Sequence, residues 1–407
     1  MGPVTERERV DVIDVLRGFA LFGILAANMR AFNSPAEVYS APLAMWTAGF
    51  DRFAQGLIGT FISGKFITIF SVLFGLGFAI QMDRAAARGA RFLSFYSRRL
   101  AVLLLLGLAH GVLLWYGDIL ATYALLGFLL LLFRKRQQKT LLIWIVALHA
   151  VLLVMLVAFL VLARFGISTP APPDPTAESI QHSVRVFSQG AWLEIQRQRL
   201  HDWLGINAII IFSVMWVLPR FLFGLWLWRS GFLGDLPSRK AFLRKLFLWG
   251  TALGVAGNAV ATVIVHTFDP RMSKPDLPGL IAQTLSMVSV PLLSGGYAAG
   301  IALFTMSGAC QWLHRAFAAI GRTALSNYLL QSVICTTLYY SYGFALFGKV
   351  GPAYGLIPTL LIYAAQLPLS LWWLRRCRFG PAEWLWRSLT YGKAQPLRAE
   401  GYFSPVV

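Results

Sequence analysis

The chain has 407 residues, 57% of them hydrophobic and 14% aromatic, with a mean hydropathy of +0.64 and a formal charge of +19. That much apolar surface excludes a water-soluble globular domain. Three widely spaced cysteines, Cys310, Cys335 and Cys377, give neither a disulfide framework nor a metal pattern and read as buried, inert thiols. The positive charge comes with no RNA- or DNA-binding motif, so it reflects membrane topology and contact with anionic lipid, and no nucleic-acid partner is expected.

A hydrocarbon core about 30 Å thick takes about 20 apolar helical residues to cross. Such stretches fall at 12–31, 65–82, 99–116, 118–133, 140–164, 207–229, 241–265, 278–306, 325–347 and 355–374. They predict an all-α, polytopic transmembrane bundle of ten spans. Met1–Asp11 mixes acids with bases and no small-residue cleavage site follows it, so the first span is expected to stay. The organisation expected is an N-terminal half of five spans (1–164), a polar insert (165–206), a C-terminal half (207–398) and a tail (399–407). The insert holds Pro170, Pro172, Pro173 and Pro175, then an amphipathic run ending Gln196-Arg197-Gln198-Arg199. It reads as a lid over a site or as a plain connector.

Segments 1–11, 84–99, 134–139, 229–245, 315–322 and 375–398 lie on one side of this arrangement and hold 24 of the 36 basic residues. The positive-inside rule then places both termini in the cytoplasm and the insert outside. A bacterial plasma (inner) membrane is the expected location, with membrane lipid as the standing partner. The tail after the last span starts a short helix at Pro381, and Trp384 and Trp386 with flanking arginines suit an interfacial anchor.

Chemistry must come from the few polar groups in the spans. Asp14 and Arg17 are three apart, on one helix face. They make either an ion pair or, through the forked donors of Arg17, a holder for a phosphate-bearing ligand. Asn28 follows eleven residues on, about 16 Å further along the helix. His110 lies in an apolar helix between Gly107 and Gly111, which admit a close approach by ligand or backbone. It reads as a general base or as a hydrogen-bonded bundle histidine. Asp118 suits the cap of the next helix, or orients a histidine. Lys65, after Ser63 and Gly64, is expected to snorkel to the interface. Ser326, Asn327, Gln331 and Ser332 form a polar stripe that either joins helices or lines a substrate cavity. His149 reads as structural, and His182, His201, His266 and His314 fall in loops or at span ends without metal-ligand spacing. No P-loop and no Gly-x-Ser-x-Gly elbow occurs.

The run Gly321-Arg322-Thr323-Ala324-Leu325-Ser326-Asn327-Tyr328-Leu329-Leu330-Gln331-Ser332 resembles the opening of the C-terminal block of the YeiB-like bacterial membrane proteins, the "domain of unknown function 418" family. The run from Arg378 to Gly392, with Gly380-Pro381-Ala382-Glu383-Trp384, resembles its end. Asp14-Val15-Leu16-Arg17-Gly18 and Gly117-Asp118-Ile119-Leu120 fit the same family, so the resemblance covers essentially the whole chain. The first helix is also similar to that of membrane acyltransferases, the acyltransferase-3 proteins and heparan-alpha-glucosaminide N-acetyltransferase, which open with Asp-x-x-Arg as Asp14 and Arg17 do. That similarity implies a cytoplasmic acyl-CoA donor, with no tightly bound cofactor, and an envelope glycan, lipid or small-molecule acceptor. Where acyltransferase-3 proteins carry a catalytic histidine this chain has Asn28, and no histidine precedes His110.

These readings yield a transmembrane acyltransferase in which Asp14, Arg17 and Asn28 bind the donor, His110 and Asp118 are catalytic, and Ser326, Asn327 and Gln331 line the substrate site. The alternatives are a small-molecule permease and a non-catalytic envelope-assembly protein. Convergence of His110, Asn28 and Arg17 on one cavity separates them.

Overall fold

A computed structural model describes residues 11–39, 45–89, 91–167, 175–207, 210–269 and 275–398. Arg7 and Arg9, Pro170, Pro172 and Pro173, and the tail 399–407 lie outside the described residues. The described chain is helical apart from turns and one isolated bridge between Cys377 and Arg398. Its α-helices are α1 (Asp11–Asn33), α2 (Gly49–Leu57), α3 (Lys65–Ala87), α4 (Phe92–Leu113), α5 (Leu120–Leu130), α6 (Gln138–Arg164), α7 (Ala177–Gln189) and α8 (Trp192–Asn207). There follow α9 (Ile210–Arg229), α10 (Lys240–Phe268), α11 (Leu277–Ser307), α12 (Gln311–Arg322), α13 (Ala324–Tyr339), α14 (Pro352–Arg376) and α15 (Pro381–Tyr391).

Seven of these segments are long and apolar enough to cross a membrane: α1, the continuous run Gly49–Ala87, α4, α6, Pro237–Phe268, α11 and α14. This makes the chain a multi-pass membrane protein. The other three expected spans are helical too, but differ from expectation. The stretch read as 118–133 spends its start on a turn and yields only Leu120–Phe133. The stretch read as 325–347 ends its helix at Tyr339, because residues 340–348 fold back as turns. Ser341 N there donates to Phe187 O at 2.8 Å, and Gly348 N to Asn33 O at 3.0 Å. In α9, Pro219 and Arg220 interrupt the apolar run.

Outward-facing apolar side chains show where lipid lies. Leu105, Ile143, Val146, Val154, Trp249 and Leu361 are each about two-thirds exposed, which no soluble surface would sustain as a girdle. Helix α6 buries only Leu141 and Leu152, so it stands at the rim with lipid on most sides. Helix α1 is the reverse, 61% buried, and packs against α3, α12, α13 and α14.

Two glycines let α1 and α12 touch backbone to backbone. A Cβ on Gly18 would stand 2.1 Å from Phe317 O, and one on Gly321 would stand 1.9 Å from Asp14 O. Small residues at a crossing let helices approach closely in a bilayer. This pair joins the Asp14–Gly18 motif to the start of the C-terminal motif. The insert caps one end of the bundle: Phe187 of α7 is fully buried against Tyr340 and Phe347. Arg199 of α8 donates to the end of α4 at Leu113 O.

Candidate functional site

A single cavity of about 1250 Å³ runs through the bundle between α1, α3, α5, α9, α10 and α15. That volume exceeds the usual range for a small-molecule site. At one end it meets the arginines Arg17, Arg84, Arg88, Arg99, Arg322 and Arg387, with the carboxylates Asp14, Asp83 and Glu383. Six guanidinium groups against three carboxylates leave that end positive. At the other end it meets Arg30, Gln55, Lys65, His266, Gln283 and Ser286.

The arginine end is built from the two motifs that flank the chain. Arg17 Nη1 donates to Asp14 Oδ1 at 2.7 Å and reaches Gly321 O at 3.5 Å, so the expected i,i+3 pair forms. Arg99 of α4 lies over the Trp386 ring, 3.6 Å from its centroid, while Trp386 Nε1 donates to Arg99 O at 2.9 Å. Helix α15 starts at Pro381 as expected and closes the bundle. Glu383, which the sequence reading passed over, caps α13 from outside. Its Oε1 accepts from Leu325 N at 2.6 Å and Ser326 N at 3.1 Å, and its Oε2 accepts from Ser326 Oγ at 2.5 Å.

His110 and Asp118 do come together. His110 Nδ1 is 2.9 Å from Asp118 Oδ1, and His110 Nε2 is 2.9 Å from Ser332 Oγ. The carboxylate also accepts Leu120 N at 3.1 Å and Ala121 N at 2.8 Å, which satisfies the open amides at the start of α5 as the capping reading requires. Gly107 is needed because a Cβ there would stand 2.3 Å from Ala121 N, so the glycine admits backbone. Both side chains are sealed, at 1% and 0% exposure. Asp118 belongs to the cavity wall and His110 does not. Of the three residues expected to converge, Arg17 and Asn28 line the cavity and His110 stands behind it.

The polar stripe on α13 joins helices. Asn327 Nδ2 donates to Ser370 Oγ at 3.0 Å, Gln331 Nε2 to Gln366 Oε1 at 2.8 Å, and Gln366 Nε2 back to Asn327 O at 3.0 Å. Ser326 is held by Glu383. None of Ser326, Asn327 and Gln331 is in the cavity wall, where α13 instead presents Leu325 and Tyr328. In place of the substrate-lining role expected of them, the Asn327 and Gln331 amide nitrogens and the Ser326 hydroxyl bond to neighbouring helices.

Lys65 corrects another expectation. It does not snorkel: it is 1% exposed, and its Nζ donates to Gly59 O at 2.6 Å. The cause is local. Residues Ile58–Ile62 form a π-helical turn and Gly64 takes φ +83°, so the chain breaks and α3 restarts with Lys65 turned inward. Cys310 is exposed rather than buried, while Cys335 is buried as expected. Among the described residues no cluster of three His, Cys, Asp or Glu side chains suits a metal.

Arg220 was also missed. It sits halfway along the cavity, gives Nε to Thr68 Oγ1 at 2.8 Å and reaches back to Trp216 O. A signal for the far end did exist: Asn258, Thr262 and His266 recur every four residues in the second half of α10, among mostly apolar residues, and all three line the cavity.

A family model described as "Protein of unknown function (DUF418)" matches residues 227–393, which include both C-terminal motifs. Three relatives match nearly end to end. "Uncharacterized protein YxaH" of Bacillus subtilis (strain 168) is 34% identical over 98% of this chain and 98% of its own. "Uncharacterized protein YeiB" of Escherichia coli (strain K12) is 32% identical over 96% and 98%. The "Uncharacterized 39.9 kDa protein in amylase 3'region" of Bacillus acidopullulyticus is 27% identical over 98% of both chains. These names state no activity, so any chemistry must be argued from the cavity.

Proposed function

This chain belongs to the DUF418 family, and on that premise we propose that it is a plasma-membrane acyltransferase working across the bilayer. It takes an acyl group from cytoplasmic acyl-CoA and gives it to an envelope glycan, lipid or small-molecule acceptor. The reading includes ten spans with both termini in the cytoplasm, which makes the arginine end of the cavity the cytoplasmic one. Reporter fusions at Glu178 and Lys240 should then report opposite sides.

The observation that carries the proposal is the cavity itself. It joins a six-arginine end to an end lined by hydrogen-bonding groups, with Lys65 and Arg30 among them, in one continuous space. Arginine suits phosphate through paired, fixed donors, and the nucleotide end of coenzyme A carries three phosphate groups. Arg17 to Arg30, both in the wall, spans about 20 Å of α1, a distance suited to a thin pantetheine arm. A bundle with only a structural role fills its interior with side chains.

Chemically, the donor thioester is held by electrostatics at one end and met by the acceptor from the other. His110, Asp118 and Ser332 hold the wall between these ends: they tie α4, the start of α5 and α13 together, with Asp118 backbone facing the space. The break at Ser63–Gly64 is the feature that favours a permease as second reading, since broken helices form many transport sites. A mass-spectrometric comparison of envelope glycans and lipids with and without the protein decides. Loss of one acyl modification supports acyl transfer, and an unchanged envelope with altered solute uptake supports the permease.

A further inference from the structure

We propose that the cavity end away from the six-arginine cluster is an acceptor subsite for a neutral sugar or polyol hydroxyl, in which Gln55 binds the acceptor and His266 takes its proton. The proposal rests on the acyl-transfer reading and gives that reading its base.

His266 Nδ1 lies 2.9 Å from Thr262 O. A carbonyl only accepts, so Nδ1 carries the hydrogen, and the neutral ring keeps a bare lone pair on Nε2. His149 makes the same contact to Ile145 O at 2.7 Å, so the contact alone is a habit of helical histidines. The difference lies at the other nitrogen. His266 is in the cavity wall, and its Nε2 is buried with no partner among the described residues.

Gln55 faces the same space. It is 6% exposed, and neither its amide nitrogen nor its amide oxygen has a partner among the described residues. A buried amide with both ends unused is costly unless something else satisfies it. The packing sets the two side chains at one level. Thr60 Oγ1 is 3.5 Å from Thr262 Oγ1, and a Cβ on Gly59 would lie 2.9 Å from the same Thr262 oxygen. The chain runs from α2 through α3 towards the arginine end, and α10 runs away from it, so the two are antiparallel. Gln55 is one turn before Gly59 and His266 is one turn after Thr262. Lys65, tethered to Gly59 O, supplies a donor from below.

The donor and acceptor pattern selects the ligand. Gln55 offers one of each, His266 Nε2 only accepts, and Lys65 only donates. A hydroxyl both donates and accepts, so a compound with neighbouring hydroxyls satisfies the set. Arg30 and Lys65 in the wall would tolerate an anion, but at His266 and Gln55 a carboxylate or phosphate would set its oxygens against the lone pair and the carbonyl. In the reaction, the acceptor O–H gives its proton to His266 Nε2 and its oxygen bonds to the thioester carbonyl carbon. The carbon–sulfur bond breaks, and the proton passes to the departing thiolate, leaving an ester and free coenzyme A.

The test uses the full chain in lipid nanodiscs, with acetyl-CoA, glucose and glycerol as probes. Diethyl pyrocarbonate labelling, read at each histidine by mass spectrometry, should modify wild-type His266. Glucose or glycerol should slow that labelling severalfold, and Gln55→Leu should remove the protection. His266→Gln should keep acetyl-CoA binding while the glucose- or glycerol-dependent release of coenzyme A falls by about 10²–10⁴-fold. Labelling of His266 that neither polyol slows, or no labelling of His266, overturns the subsite. Protection without any release of coenzyme A in the wild type keeps the subsite and overturns acyl transfer instead.

Discussion

His110 Nδ1 stands 2.9 Å from Asp118 Oδ1, with both side chains sealed behind the cavity wall. Each polar atom of that pair already has a protein partner, since Ser332 takes Nε2 and two backbone amides take the carboxylate. A base that must reach an acceptor cannot work from there without moving. The pair is therefore a clip between α4, α5 and α13.

His110→Ala should lower stability by about 1.5–3 kcal/mol, the worth of a hydrogen bond to a charged group. His110→Gln, which keeps a donor for Asp118, should recover part of that. Thermal unfolding in detergent measures both. A Gln variant as stable as the wild type but devoid of transfer activity would return His110 to the catalytic role.

Arg17→Ala should weaken acetyl-CoA binding about ten-fold or more, since a charge-assisted contact contributes about 1.5–3 kcal/mol. Asp14→Asn is the control: it breaks the 2.7 Å pair but keeps the guanidinium. Binding that falls equally in both variants would mean the pair itself, and not the cation, matters. Equilibrium binding to purified protein separates the cases.

The helices were legible because apolar length is a one-dimensional property, and α6 or α14 needs nothing else. Asp14 and Arg17 were legible because their contact lies within one helical turn. What the sequence hid is tertiary. Tyr339 ends α13 because residues 340–348 bond to Phe187 and Asn33, far away in the chain. Lys65 turns inward because a π-helical turn frees the carbonyl of Gly59. Glu383 caps a helix that begins 59 residues earlier, at Ala324. The Asn258-Thr262-His266 stripe was readable by the same spacing argument used for α13, but a histidine at a span end looks like an interfacial one until a cavity is seen beside it.

Glu383→Ala should destabilise the C-terminal half, because Leu325 N, Ser326 N and Ser326 Oγ all lose their acceptor. A buried group left unsatisfied costs about 1–3 kcal/mol. Glu383→Gln keeps an acceptor oxygen and should fall between Ala and wild type. Limited proteolysis near Arg378 should show α15 released in the Ala variant. Unchanged cleavage there would mean that Trp386 on Arg99 holds α15 unaided.

The outer cap should loosen as pH rises. Asp202 of α8 is buried, and its ionisation is pushed from 3.8 up to about 7, first by burial and second by the Glu37 carboxylate. Bonds from Gln198 at 2.8 Å and His201 at 3.4 Å oppose this only in part. The folded cap therefore holds a proton that the unfolded chain releases near 3.8. Between those values the folded state binds more protons, so stability falls with rising pH. The contribution is full below about pH 4 and is lost as pH passes through about 7. Amide exchange in α8, corrected for intrinsic rates, should show protection declining from pH 5 to 8. Asp202→Asn, which stays neutral, should flatten that decline. A slope unchanged in the Asn variant would assign the pH response to another group, with His201 and Glu37 the nearest.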